Sequence, residues 1–317
     1  MNIAPPFELP PHLKPLLQKG QRLEWITLAY IASVVVVMYL VIGSSQAMKS
    51  AWIEDGLGLL SPIAFLIASH VYDKRSDARF PYGHHRAFGI AFLAGSLTLF
   101  SMGCFLIVDS SLALIKAEHP SIGSVTIFGH QVWMGWLMIV ALLYSGIPSM
   151  ILGYRKLPIA RKLHNKILMT DADTQKADYM TAAAAIVGII GVGFGLWWAD
   201  ATAALFIAVS VVNDGFSSLR RAIDDLIDKH PTYVDSDKTD RLIEEIRSFV
   251  RSWDWVDDAS VRLREAGQVY FGEVYVTPRA DTTHLVDKVE EGIERLRTYH
   301  WKLHDVVLVP VQKVPEW

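Results

Sequence analysis

The chain of 317 residues has a single cysteine, Cys104, so no disulfide framework holds it together and a reducing compartment suits it. It has no basic excess either. Its 30 Lys and Arg stand against 33 Asp and Glu, a net charge of -3, which excludes a basic nucleic-acid binder. Above all it lacks charge in its first two thirds: residues 1–212 hold 27 charged side chains, whereas the 105 residues that follow hold 36. With 51% hydrophobic residues overall, the chain is not disordered. The asymmetry describes a membrane part followed by a soluble part.

What is present in the poorly charged part is a series of apolar runs. A helix crosses the hydrocarbon core with roughly 17 to 25 residues. Six runs qualify, at about 23–43, 48–70, 87–114, 132–154, 167–196 and 199–212, the last continuing as helix to 219. The first is not a cleavable signal, because a polar, Pro-rich segment precedes a full-length span with no small-residue cleavage site behind it. Lys14, Lys19 and Arg22, then Lys74, Arg75, Arg79 and Arg86, then Arg155, Lys156, Arg161, Lys162 and Lys166 gather on one side, so both termini are expected in the cytoplasm. Trp133, Trp136, Trp197 and Trp198 read as interface belts, and Cys104 as mid-span filler.

The tail alternates. Residues 234–253 have helical spacing with Asp235 or Ser236 as the cap, 261–264 and 269–276 read as strands around Ala266-Gly267, 282–297 is helical, and 306–311 is a strand. The expected fold class is therefore an α-helical membrane protein, six transmembrane helices followed by a cytoplasmic α+β (α-β-β-α-β) domain. The expected divisions are an N-terminal tail at 1–22, a transport domain at 23–228 and a C-terminal domain at 229–317. A unit of about 85 residues has a small core, so support from a second copy is expected.

Charges inside the spans point to function, since an acid or Lys at mid-helix costs about 2.5 to 3.5 kcal/mol on insertion scales. Glu54 and Asp55 lie in span two. In span five, Asp171, Thr174 and Asp178 share one face at 100° per residue, while Asp173 and Lys176 fall on the other and can neutralise each other as an i, i+3 pair. The bland alternative is a wet helix end, which fits Asp173 and Lys176, or an outer-interface position, which fits Glu54 and Asp55. Asp178 is followed at once by the apolar run 180–192, which must reach the far leaflet, and so lies well below the headgroups.

These features, with the segment Phe80-Pro-Tyr-Gly-His-His-Arg-Ala87 opening span three, resemble the cation diffusion facilitator family from about Arg22 to Lys313. The resemblance implies a homodimeric, proton-coupled exporter of divalent metal cations, with no permanently bound cofactor and with the bilayer, protons and the cation as its partners. It implies four ligands on spans two and five. Matched without gaps, those positions fall on Glu54 and Gly58, and on Thr174 and Asp178 within Thr170-Asp-Ala-Asp-Thr-Gln-Lys-Ala-Asp178. Gly58 and Thr174 depart from the pattern, which leaves Asp55 and Asp171 as candidates to complete the shell. A set of carboxylates, a hydroxyl and water, without His or Cys, suits Mn2+, Mg2+ or Fe2+ better than Zn2+.

Family sites outside the membrane are eroded. Asp77 and His84 match two positions of a loop site whose third holds Phe80, although His84 and His85 can equally cap span three or meet lipid phosphate. His284 matches one tail ligand, while Ala259, Val309 and Val311 occupy others, so the tail reads as a dimerisation module. His300 and His304 are expected at the surface. Two other classes stay open. A transport-dead scaffold or sensor would keep the fold without flux. A membrane-embedded hydrolase would show His-x-x-x-His or His-Glu-x-x-His in a span, and none occurs there. The chain is thus expected to be a transporter rather than an enzyme, in a prokaryotic inner membrane.

Overall fold

A computed structural model describes residues 9–41, 52, 55–72, 74, 76–117, 123–127 and 130–315. Glu54, a candidate ligand, lies outside the described residues. Helices α1 (Lys14–Val41), α2 (Leu60–Tyr72), α3 (Ala87–Ile115), α4 (Met134–Leu163), α5 (Lys166–Gly193) and α6 (Ala199–Leu226) follow the six apolar runs. Among the described residues, five stretches are long and apolar enough to cross a membrane: α1, α3, α4, α5 and the helical stretch Asp55–Tyr72 that contains α2. A short antiparallel hairpin, β1 (Ser124–Ile127) with β2 (His130–Trp133), precedes α4.

Two boundaries differ from the hydropathy reading by nine residues. Helix α1 starts at Lys14, inside the segment read as a tail, where Leu17 of the helix and Leu9 and Leu13 just before it join the buried cluster that also holds Phe65, Leu163 and Ile167. Helix α4 runs nine residues beyond position 154. At 1.5 Å per residue its 30 residues span about 45 Å, more than the roughly 30 Å hydrocarbon core, so the extra turns form a stalk on the tail side. Helices α3 and α6 touch through backbone. A Cβ on Gly215 would stand 2.7 Å from the Phe100 backbone, and one on Gly103 would stand 2.7 Å from the Val212 nitrogen, so a side chain at either position would force the helices apart.

The tail has the expected order: α7 (Leu242–Arg251), β3 (Val256–Ala266), β4 (Val269–Pro278), α8 (Leu285–Tyr299) and β5 (Leu303–Pro310). The sheet order is β3-β4-β5, with β3 antiparallel and β5 parallel to β4. Its core joins Ile246 and Val250 of α7 and Leu296 of α8 to Val261, Val274 and Val306 of the sheet. The hairpin turn needs Gly267 at φ 71°, where a Cβ would also overlap the His85 carbonyl oxygen.

Helix α7 begins eight residues later than its apolar spacing suggests. Residues 232 and 239 instead form an antiparallel bridge, and the cap is Asp240, whose Oδ1 accepts from the Leu242 N–H at 3.0 Å. Asp240 also accepts from the Tyr270 hydroxyl at 2.6 Å and from Lys302 at 2.8 Å. Burial pushes this carboxyl up, but the hydrogen bonds from Lys302, Tyr270 and the Leu242 N–H outweigh it and bring the pKa from 3.8 down to about 2. A depressed carboxylate pKa contributes stability above the unfolded value, and that contribution is lost as pH falls. Acid unfolding followed by near-ultraviolet dichroism should therefore show a loss between about pH 4 and pH 2 in the wild type. Asp240→Asn should start less stable at neutral pH and lose less over that window; an unchanged acid slope would count against the assignment.

Candidate functional site

Four helices meet around Asp55 and Asp178. Asp55 sits at the start of the stretch leading into α2 and is 9% exposed; its Oδ1 accepts from Ser145 Oγ of α4 at 3.4 Å, and its buried Oδ2 has no hydrogen-bond partner among the described residues. Asp178, on α5, is 7% exposed. A Cβ on Gly58 would stand 4.0 Å from Asp178 Oδ2, so the span-two position matched by Gly58 faces Asp178 across the helix pair. The Tyr30 hydroxyl of α1 donates to the Tyr144 carbonyl at 2.9 Å and to the carbonyl of Ser145, whose side chain holds Asp55. Ser149 Oγ reaches that hydroxyl at 3.5 Å. The surroundings are thus hydroxyls, backbone carbonyls and two carboxylates. Such oxygen donors suit hard cations.

Thr174 is buried one turn from Asp178, and its hydroxyl donates to the Thr170 carbonyl at 3.1 Å, within its own helix. Asp171 is placed differently. Seven residues and about 10 Å along α5 from Asp178, it is bound by the Lys156 ammonium, which also holds Glu24 Oε2 of α1 at 2.9 Å. Gln175 Nε2 donates to Asp171 Oδ2 at 3.2 Å and to Thr27 Oγ1 at 3.3 Å. Asp171 is therefore committed to Lys156 here and does not complete a shell around Asp178. Among the described residues, no three His, Cys, Asp or Glu side chains gather as a metal-holding group.

Lys156 is the main correction to the charge reading. It is not an exposed topology-setting residue but is 0% exposed, like Glu24, with Asp171 at 1%. Full burial of one ammonium and two carboxylates is tolerated because they bind one another. Glu24 was legible as an acid within the first apolar run, but nothing in the local pattern names its partner, 132 positions away. Tyr30, Ser145 and Ser149 carry no sequence signal beyond being polar. On the opposite face of α5, Lys176 pairs with Asp214 of α6 at 3.2 Å rather than with Asp173.

The outlying candidates have local roles. Asp77 Oδ1 accepts from the backbone N–H groups of Arg79 at 2.8 Å and Phe80 at 2.7 Å, closing an Asx turn, while the His84 ring packs on Phe80 at 4.6 Å. His284 precedes α8 at φ 53°, 79% exposed, with Asp287 at 3.7 Å. His304, expected at the surface, instead packs against His85 at 4.6 Å and Phe271 at 5.3 Å, because β5 starts beneath the α2–α3 loop. Burial together with the neighbouring His304 and His84 lowers the His85 pKa from 6.5 to about 3, which keeps that ring neutral.

The tail is joined to the helices by a buried charged knot. Lys166, the first residue of α5, binds Asp225 of α6 at 2.7 Å, Glu265 of β3 at 2.9 Å and Thr232 at 3.1 Å. His164 meets Glu265 at 3.3 Å and the Tyr270 hydroxyl at 3.1 Å, and Gln268 donates to the Leu163 carbonyl at 2.9 Å. Burial pushes the Glu265 carboxyl up, but Lys166 and His164 together bring it below its ordinary value, so the knot holds an ionised acid.

The family model described as the cation efflux transmembrane domain matches residues 25–227, the region that contains all six long helices except the start of α1. The uncharacterized transporter YdbO of Bacillus subtilis is 24% identical over 221 residues, covering 67% of this chain and 70% of its own. The manganese efflux system protein MneS of the same organism is 23% identical over 292 residues, 90% of this chain and 93% of its own. The manganese efflux system protein MneP is 24% identical over 255 residues, 78% and 79% respectively.

Proposed function

The chain belongs to the cation efflux family of membrane transporters, the cation diffusion facilitators, and from that premise we propose that it exports a hard divalent cation, Mn2+ before Fe2+ or Mg2+, in exchange for protons. The observation that carries this reading is the donor set around Asp55 and Asp178: two buried carboxylates, the Ser145 hydroxyl on Asp55, the Tyr30 hydroxyl on the Ser145 carbonyl and Thr174 buried one turn from Asp178, with neither nitrogen nor sulfur ligands named there. Zinc prefers His and Cys in a tetrahedron, whereas Mn2+ accepts oxygen and retained water. The likeness to two manganese efflux proteins over more than three quarters of the chain supports the same ion.

In this reading Asp55, Thr174 and Asp178 form the transport site, and Glu54 is a further candidate ligand by sequence position. A carboxylate binds metal only when ionised, so metal and protons compete for the same oxygens. Protons leave as the ion enters from the tail side and return as it departs on the other. The reading takes α6 as a sixth crossing beside α3, both termini in the cytoplasm of a prokaryotic cell, and two copies joined through their tails. Asp77, His84 and His284 stand outside it, since their partners are those of a turn, a ring stack and an exposed helix end.

The deciding experiment is flux into proteoliposomes of the purified protein with Mn2+, Fe2+, Mg2+, Co2+ and Zn2+ while an enclosed dye reports pH. Mn2+ should move and drive proton counterflow, with Zn2+ much slower. Zinc as the fastest ion would overturn the ion assignment. No movement of any ion would favour a transport-dead scaffold.

A further inference from the structure

We propose that Glu24, Asp171 and Gln175 form a second cation site on the tail side of Asp178, filled in this conformation by the Lys156 ammonium and taken by a divalent cation when Lys156 withdraws. It rests on the transport reading only for the direction of travel.

The group is built like a cation cage rather than a simple ion pair. One buried ammonium needs one carboxylate for balance, yet Lys156 binds two, Glu24 Oε2 and Asp171 Oδ2. With both acids ionised, the set sums to -1 with lysine in place and to zero with a divalent ion instead. A surplus charge at 0% exposure is costly, so with lysine in place one acid is balanced only by holding a proton, whereas a divalent ion balances both acids in their ionised form.

The oxygen count points the same way. Glu24 Oε1 and Gln175 Oε1 are buried acceptors with no hydrogen-bond partner among the described residues. An ammonium offers at most three N–H donors, whereas a hard divalent cation takes six or more oxygens, enough to use the two left over. Thr27 Oγ1, at 3.3 Å from Gln175 Nε2, adds a hydroxyl to the wall.

Position supplies the role. Asp171 lies on the same face of α5 as Asp178, about two turns nearer the tail, so an ion approaching from that side meets this group first. Lys156 stands on a flexible four-carbon stem and on another helix, α4. Its departure from both acids would open the approach, and its return would close it behind the ion.

The test is Mn2+ titration of the full-length protein in detergent, in an Asp178→Asn background that disables the proposed transport site. Adding Lys156→Met should create a Mn2+ site that Asp178→Asn alone does not have. Adding Glu24→Gln to that pair should weaken the new site roughly tenfold or more, the scale of one charged ligand contact. Identical Mn2+ binding with and without Lys156 overturns the proposal. Where the Lys156→Met protein is too unstable to titrate, its melting temperature is the readout: Mn2+ should raise it and Na+ should not, and no rise with Mn2+ overturns the proposal equally. Unchanged Mn2+ binding in Asp178→Asn alone would sink the transport role of Asp178, while the comparison with and without Lys156 would still decide the second site.

Discussion

Asp178→Asn is expected to lower Mn2+-dependent proton movement in proteoliposomes by more than about a hundredfold, since loss of even an outer-shell partner of a metal ligand costs about 10- to 100-fold. The substitution keeps the side-chain volume and removes the charge, so packing against Gly58 should persist. That separates a lost ligand from a misfolded helix: the protein should purify as a single species and melt close to the wild type while its flux disappears. Thr174→Ala, which removes a hydroxyl already occupied by the Thr170 carbonyl, should cost far less. Stopped-flow traces from both variants at matched protein density make the comparison. Asp178→Asn flux near that of the wild type would remove Asp178 from the transport site.

Lys166→Met should free the tail from the helices. Lys166 is 4% exposed and stands between Asp225 and Glu265, so its removal leaves two buried acids with no ammonium between them. Breaking a buried pair in this way typically costs about 3 to 5 kcal/mol. Much of that cost should fall on the junction rather than on the whole molecule, because the tail has its own core around Ile246, Val274 and Leu296. Trypsin should then cut at Lys229, Lys238 or Arg241 at least about a hundredfold faster, and amide exchange at the β3–β4 turn should speed up with it. The double variant Lys166→Met with Glu265→Gln should recover part of the loss, as expected for groups sharing one network. Unchanged proteolysis in Lys166→Met would show that the apolar contacts around Phe88 and Gly267 hold the junction without the charges.

Both expectations depend on α5, whose two ends were unequally legible. Asp178 could be singled out because the apolar run after it forces it into the bilayer, and a helical wheel places it with Thr174 and Asp171. Lys166 could not, since a basic residue at a span end ordinarily sets topology in water. It became a structural ion only when β3 brought Glu265 against it. The same reasoning covers His304, whose Trp- and Tyr-bearing turn reads as surface until His85 and Phe271 close over it. For the tail, the period-two pattern located β3, β4 and β5, but the start of α7 was displaced because the bridge at 232 and 239 and the Asp240 cap depend on Tyr270 and Lys302, more than 25 residues away.

The sequence by itself determined the division into an apolar bundle and a charged tail, the strand and helix order of that tail, and the face of α5 that Asp171, Thr174 and Asp178 share. Each follows from a local quantity, namely charge density, period and 100° spacing. The tertiary structure alone decided which charges are solvated and which are paired. Lys156 belongs by hydropathy to a basic cytoplasmic cluster, yet it is sealed between Glu24 and Asp171, because a charge is tolerated in a dry interior only where chain-distant partners arrive to meet it.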